Sequence, residues 1–148
     1  MKLSTRARYG TRAMLELALH YKDGYVSVRE IAKSQGISRR YLEHLIVSLQ
    51  AIGLVKTLKG KKGGCTLAKP PSEIKLAEIV EALEGSIAPV DCIIDGKLCP
   101  REKICVIRDI WIKMKEAITN LLNSITLEDM VKWQKEKLKN TEISMYYI

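Results

Sequence analysis

Three features of this 148-residue sequence predict a mainly α-helical fold with one small β-hairpin. Apolar residues recur at steps of three and four through most of the chain, which is the helical period. Two short apolar segments, Leu54 to Leu58 and Cys65 to Ala68, flank the loop Lys59-Gly60-Lys61-Lys62-Gly63-Gly64, as in a hairpin. A seam of apolar residues from Ile104 to Ile125, spaced alternately three and four apart, predicts one long helix late in the chain.

Ser4 or Thr5 can cap a first helix running to about Tyr21, with Tyr9, Ala13, Leu17 and Tyr21 along one face and Arg6, Arg8 and Arg12 off it. Asp23-Gly24 marks a turn. Ser27 followed by Glu30 has capping-box spacing and opens a short helix through Ile31 and Ala32 that ends at Gln35-Gly36. Ser38 can cap the next helix, which runs to about Ala51 with Leu42, Leu45, Ile46 and Leu49 turned inward. A short helix, a turn at Gly36 and a longer helix have the spacing of a helix-turn-helix, whose second helix enters the DNA major groove. Its outer face carries Arg39, Arg40, Glu43 and His44. Arginine forks match guanine, and a carboxylate can accept from cytosine N4. The bland alternative for Glu43 is a surface acid paired with Arg39 or Arg40. The hairpin follows where a wing would stand, and its three lysines and three glycines suit close approach to phosphates or a minor groove. Cys65 begins the second strand as a small buried thiol and is not counted as a ligand.

Pro70-Pro71 punctuates the chain, and Ile74, Ile79, Val80 and Leu83 predict an amphipathic helix ending before Gly85. The stretch DCIIDGKLCPREKIC then holds Cys92, Cys99 and Cys105, with six residues between the first pair and five between the second. Gly96 and Pro100 make its first part a loop. Soft thiolates select zinc or iron-sulfur centres, though the paired close spacing of structural zinc is absent. The long helix is expected to start at Pro100, with Cys105 inside its first turns. Its seam of Ile104, Ile107, Trp111, Met114, Ile118, Leu121 and Ile125 needs a partner, and the reading is a homodimer through this helix. Thr126 and Asp129 start a short final helix through Trp133. The expected organisation is a winged-helix domain over 1–85, a cysteine-containing loop over 86–105, a dimerisation helix over 100–125, a short helix over 126–138 and a flexible tail over 139–148.

Charge supports a polyanionic partner for the first half. Residues 1–70 carry 14 Lys plus Arg against 4 Asp plus Glu, a net +10, while residues 71–148 carry 11 against 13, a net −2. A basic surface gains from releasing the counterions condensed on phosphates. No apolar run of membrane-spanning length occurs, and the opening MKLSTRARYG lacks the core of a signal peptide, so the expected location is the cytoplasm. There, cysteines are reduced, metal-bound or redox-active more often than joined in structural disulfides. No nucleophile, base and orienting group converge, and no phosphate-loop or dinucleotide fingerprint occurs, so the chain does not read as an enzyme.

Taken together, MKLSTRARYG, VREIAKSQGISRRYLEHLIVSLQAIGLV, KGKKGG, EIVEALEG, the three cysteines and TLEDMV resemble a bacterial family of dimeric winged-helix transcription regulators. It is the family of the iron-sulfur cluster regulator IscR and the nitric oxide sensor NsrR. The resemblance covers most of the chain. It implies a homodimer on a palindromic double-stranded DNA operator, with a cluster held by Cys92, Cys99 and Cys105, [2Fe-2S] ahead of [4Fe-4S], and open to nitric oxide or oxidants. It also gives Glu43 a base-reading role and Lys59 a wing role. The expected DNA-facing set is Ser38, Arg39, Arg40, Tyr41, Glu43 and His44, with Lys59, Lys61 and Lys62. Two positions depart from the pattern. Arg108 stands where the iron-sulfur regulator has a histidine ligand, and Arg8 stands where the nitric oxide sensor type has an acidic residue. The fourth ligand is therefore unassigned, with Asp109 the candidate and Asp91, His20 and His44 behind it. Cys65 stands where an aromatic is common.

The leading reading is a DNA-binding regulator whose cluster sets its affinity or site choice. One rival keeps the DNA binding and replaces the cluster with zinc or a dithiol switch. The other is an interaction subunit that uses its basic face on an acidic protein partner.

Overall fold

The computed structural model describes residues 2–146. Six helices and a two-stranded antiparallel hairpin follow one another in the order α1, α2, α3, β1, β2, α4, α5, α6.

Helix α1 spans Thr5–Leu19 and is capped by Ser4, whose Oγ accepts from the Ala7 amide at 3.1 Å. Its buried face is Ala7, Gly10, Ala13, Met14, Leu17 and Ala18. The expected stripe is therefore rotated: Ala13 and Leu17 lie at its centre, while Tyr9 and Tyr21 are only half-buried. Small residues set this rotation, because α1 runs hard against α4. A Cβ at Gly10 would come within 2.1 Å of Leu83 Cδ1. The helix ends at Leu19, and Tyr21 falls in a separate 3-10 turn, Tyr21–Asp23.

Helices α2 (Val28–Gln35) and α3 (Arg39–Ala51) form the expected helix-turn-helix around Gly36, whose φ of +65° suits a residue without a side chain. Ser38 caps α3 by accepting from the Tyr41 amide at 3.1 Å, and Leu42, Leu45, Ile46 and Leu49 are buried as the period predicts. The capping box at Ser27 does not form, since its side chain makes no cap hydrogen bond. Val26 instead exchanges two 2.9 Å main-chain bonds with Cys65, so the sheet fixes the entry to α2.

Strands β1 (Val55–Leu58) and β2 (Gly64–Leu67) pair Val55 with Leu67 and Leu58 with Gly64 around the lysine-rich tip. Helix α4 (Leu76–Glu84) buries Ala77, Ile79, Val80 and Leu83 and ends at Gly85. The core joins Met14 and Leu17 of α1, Ile31 of α2, Leu42, Leu45 and Leu49 of α3, Leu54, Cys65, Ile79 and Leu127.

Two boundaries in the second half differ from expectation. Helix α5 spans Val106–Ser124, 19 residues, and does not start at Pro100. Residues between Asp91 and Ile104 make three short 3-10 turns, and Cys105 is extended (φ −90°, ψ 100°), with its Sγ accepting from the Arg108 amide. Cys105 therefore caps α5 from outside, a role closed to a residue within the helix. Helix α6 spans Leu127–Tyr146, 20 residues, so the short helix over 126–138 and the flexible tail over 139–148 give way to one long helix. Lys, Glu, Gln and Leu carry it past Trp133 without a Gly or Pro, although the apolar period fades there. Residues 147–148 lie outside the described range. The expected start does form, with Thr126 and Asp129 capping each other: the Thr126 amide donates to Asp129 Oδ2 at 2.9 Å and the Asp129 amide to Thr126 Oγ1 at 3.2 Å. A bridge between Lys75 and Thr126 ties the start of α4 to the α5–α6 link, through Leu76 N to Ile125 O (2.8 Å) and Leu127 N to Ile74 O (2.9 Å).

Candidate functional site

Two regions carry the chemistry expected from the sequence: the first turns of α3 with the hairpin tip, and the cysteine loop ahead of α5. On α3, packing of Leu42, Leu45, Ile46 and Leu49 into the core turns Ser38, Arg39, Arg40, Glu43 and His44 to solvent. Arg39 Nε donates to Glu43 Oε1 at 2.9 Å, one helical turn away. An Arg39 side chain held by its Nε keeps both terminal amino groups of the fork free, and that fork matches the O6 and N7 acceptors of guanine. Tyr41 is half-buried, with its ring edge-on to Tyr9 of α1 at 6.3 Å between centroids. Arg12 lies over the Tyr9 ring at 5.4 Å and donates through Nε to Gln35 Oε1 at 2.8 Å, so α1 braces the turn between α2 and α3. Lys59, Lys61 and Lys62 are all exposed on the tip.

Some residues of this surface escaped the sequence reading. Arg6 reaches across from α1 to donate to Ser48 Oγ of α3, and Val47 is 64% exposed on the same helix. The cluster of arginines off the α1 stripe was the signal for Arg6, but its target could not be read from spacing.

Cys92, Cys99 and Cys105 are free and half-buried, each at or beside a 3-10 turn. The donor set is right in type for a soft metal, three thiols on one loop. It is not assembled in placement: among the described residues, no three His, Cys, Asp or Glu side chains are grouped to hold a metal ion. Asp109 and Asp91 are exposed, and His20 sits between Glu16 at 3.5 Å and Asp23 at 3.2 Å. His44 is exposed on α3. Arg108 is no candidate ligand, because a guanidinium has five donors and no acceptor. Its Nε donates to the Cys92 carbonyl at 3.3 Å, and its Nη2 lies 3.4 Å from Glu102 Oε1. Cys65 is a different kind of thiol. It is fully buried, its Sγ donates to the Val26 carbonyl at 3.8 Å, and burial pushes its pKa up to about 11. It stays protonated in the core.

No residue of α5 is fully buried. The seven-residue seam splits between two faces. Trp111, Ile118 and Ile125 are half-buried, and Ile118 shares a cavity of about 420 Å³ with Leu3 and Val80. Ile107, Ile110, Ala117 and Leu121 form an exposed stripe with half-buried Met114 along its middle. Ile104 lies outside the helix and is 80% exposed. Ile110 and Ala117 were missed because a strict heptad skips them. None of the helices among the described residues is long and apolar enough to cross a membrane.

Comparison with known proteins covers nearly the whole chain. The model of the Rrf2 family, described as iron-dependent transcriptional regulators, matches residues 3–133. Protein rrf2 of Nitratidesulfovibrio vulgaris is 42% identical over 132 residues, covering 89% of this chain and 88% of its own. The solved structure of T. potens IscR superposes with a TM-score of 0.77 at 41% identity, over 93% of this chain and 90% of that one. That of CymR, the global cysteine regulator of B. subtilis, superposes with a TM-score of 0.75 at 37% identity, over 90% of this chain and 98% of that one.

Proposed function

The chain belongs to the Rrf2 family of transcriptional regulators, and on that footing we propose that it works as a homodimer on a palindromic DNA operator and takes its signal at the cysteine loop. It is a DNA-binding regulator and not an enzyme. The observation that carries the reading is the exposed edge of α3: a capped first turn presents Arg39, held by Glu43, beside Arg40 and His44, with a three-lysine tip on the following hairpin. Arginine forks give base choice, and wing lysines give sequence-independent phosphate affinity. The exposed stripe on α5 supports the homodimer. An apolar stripe on a 19-residue helix with no buried residue is a surface that a second copy can cover.

Two readings of the signal stand on different observations. Three thiols on one loop and the likeness to IscR support an iron-sulfur cluster on Cys92, Cys99 and Cys105, of the [2Fe-2S] type first, which would supply a redox- and nitric oxide-sensitive centre. Three free thiols on the loop, together with the likeness to a cysteine regulator, support a thiol switch at the same place. Protein purified without oxygen decides between them. Iron and acid-labile sulfide in equal amounts, with visible absorption, support the cluster; their absence after reconstitution, with DNA affinity that follows thiol oxidation, supports the switch. In fluorescence anisotropy, operator affinity that falls steeply with salt is expected on either reading, and salt-independent or absent DNA binding would overturn both.

A further inference from the structure

One side chain closes the cysteine loop onto the start of α5. Arg108, only 20% exposed, donates through Nε to the Cys92 carbonyl at 3.3 Å and through Nη2 faces Glu102 Oε1 at 3.4 Å. Its main-chain amide donates to Cys105 Sγ at 3.4 Å. The Glu102 carboxylate is in turn laid on Gly96, midway between Cys92 and Cys99. A Cβ there would meet Glu102 Oε1, so any side chain at Gly96 would displace the carboxylate from this position. Arg108 thus touches the turn that bears Cys92, and through Glu102 it reaches the turn that precedes Cys99. A guanidinium keeps its charge at all ordinary pH and has no lone pair for a metal, which leaves it a positional role.

We infer that Arg108 is the positioning residue of the cysteine loop: with Glu102 it forms a latch that fastens the Cys92 and Cys99 turns to the first turn of α5. The inference rests on the reading that the loop receives the signal. Its consequence is a route for that signal. Arg108 is held by the loop, while its neighbours Ile107 and Ile110 stand on the exposed stripe of the same two turns. A shift of the Cys92 turn therefore pulls on the face of α5 that a second copy would meet.

Hydrogen exchange of the reduced full-length chain tests the latch. The amides of Ile94, Asp95, Leu98 and Cys99 donate within the loop and report its closure. Arg108→Ala is expected to speed exchange at these amides about tenfold, and Glu102→Gln, at a more exposed site, to do so by a similar factor. The double variant should exchange no faster than Arg108→Ala, since both remove one unit. Arg108→Lys, which keeps the charge but not the fork, should fall between wild type and Arg108→Ala. Exchange in α3 should not change, which separates a latch from general loss of stability. Unchanged loop exchange in the Arg108 and Glu102 variants, or effects of the two that simply add, would overturn the inference. Operator binding by Cys92→Ala tests the sensing reading separately, because its result does not depend on loop exchange.

Discussion

Arg39 and Glu43 stand one turn apart and are joined by a 2.9 Å ion-paired hydrogen bond, so we propose that they read DNA as one unit. Glu43 accepts from the Nε side of the guanidinium, which biases the exposed fork towards one direction and leaves its two amino groups free. On selected operators, Arg39→Ala is expected to lower discrimination at one guanine by roughly 10- to 100-fold. Glu43→Ala should relax the same position by less, and the two effects should be non-additive. If Glu43 reads cytosine by itself, the two variants will relax different base pairs in a binding-site selection, and the paired reading fails. Cys65 makes a prediction about pH. Burial raises its thiol pKa from 9.0 to about 11, so the folded chain holds this proton more tightly than the unfolded one. The stability this contributes is complete below pH 9 and is lost as pH rises through the folded value. Thermal midpoints from about pH 8 to about pH 10.5 should fall more steeply for wild type than for Cys65→Ala. At this scale the sequence was partly legible. Ser38 as a cap and Cys65 as a buried thiol follow from type and position, whereas the choice of Arg39 over Arg40 as the partner of Glu43 depends on side-chain direction around the helix.

Among the elements, α3 was the easiest to read and α5 the hardest. Helix α3 has a serine cap, a glycine before it and an unbroken apolar period, and each local preference points the same way. Helix α5 begins with a cysteine as its cap, a residue that ordinary start signals do not include, so Pro100 looked like the better beginning. Its period was also misleading by a fraction of a turn. A seven-residue seam followed the boundary between the half-buried face and the exposed one, so it mixed residues from both. The exposed stripe gives the element-scale prediction. Ile110→Glu places a charge on it, 52% exposed in the single chain, and is expected to shift light-scattering mass from dimer to monomer with little change in helix content. Ile112→Glu, on the half-buried face beside the cysteine loop, should leave the dimer intact. Equal mass for wild type and Ile110→Glu would remove this stripe as the interface.

At the scale of the whole molecule, the chain divides by charge, and the proposed tasks follow that division. The basic first half folds into the helix-turn-helix and hairpin, and the near-neutral second half supplies α4, the cysteine loop and two long helices. Charge, punctuation and the helical period made that division readable. Placement of the three thiols was not readable, because loop geometry depends on contacts such as Arg108 to Cys92 that no spacing rule encodes. The division predicts that Cys92→Ala alters operator affinity in response to iron loading or oxidant while dimer mass and α-helical content stay unchanged. A variant that binds and responds like wild type would place the signal elsewhere. The bridge between Lys75 and Thr126 bears on how such a response would travel. Ile74 and Leu127 are both fully buried, and two main-chain hydrogen bonds hold these points side by side. Beyond α4, which packs in the core, the cysteine loop and α5 form an arm anchored at both ends, by α4 and by Leu127. Such a mounting ties both ends of the arm to the buried cluster that also holds the helix-turn-helix. If two copies pair through the exposed α5 stripe, this double anchor is expected to carry a movement of the cysteine loop to the helix-turn-helix of each copy.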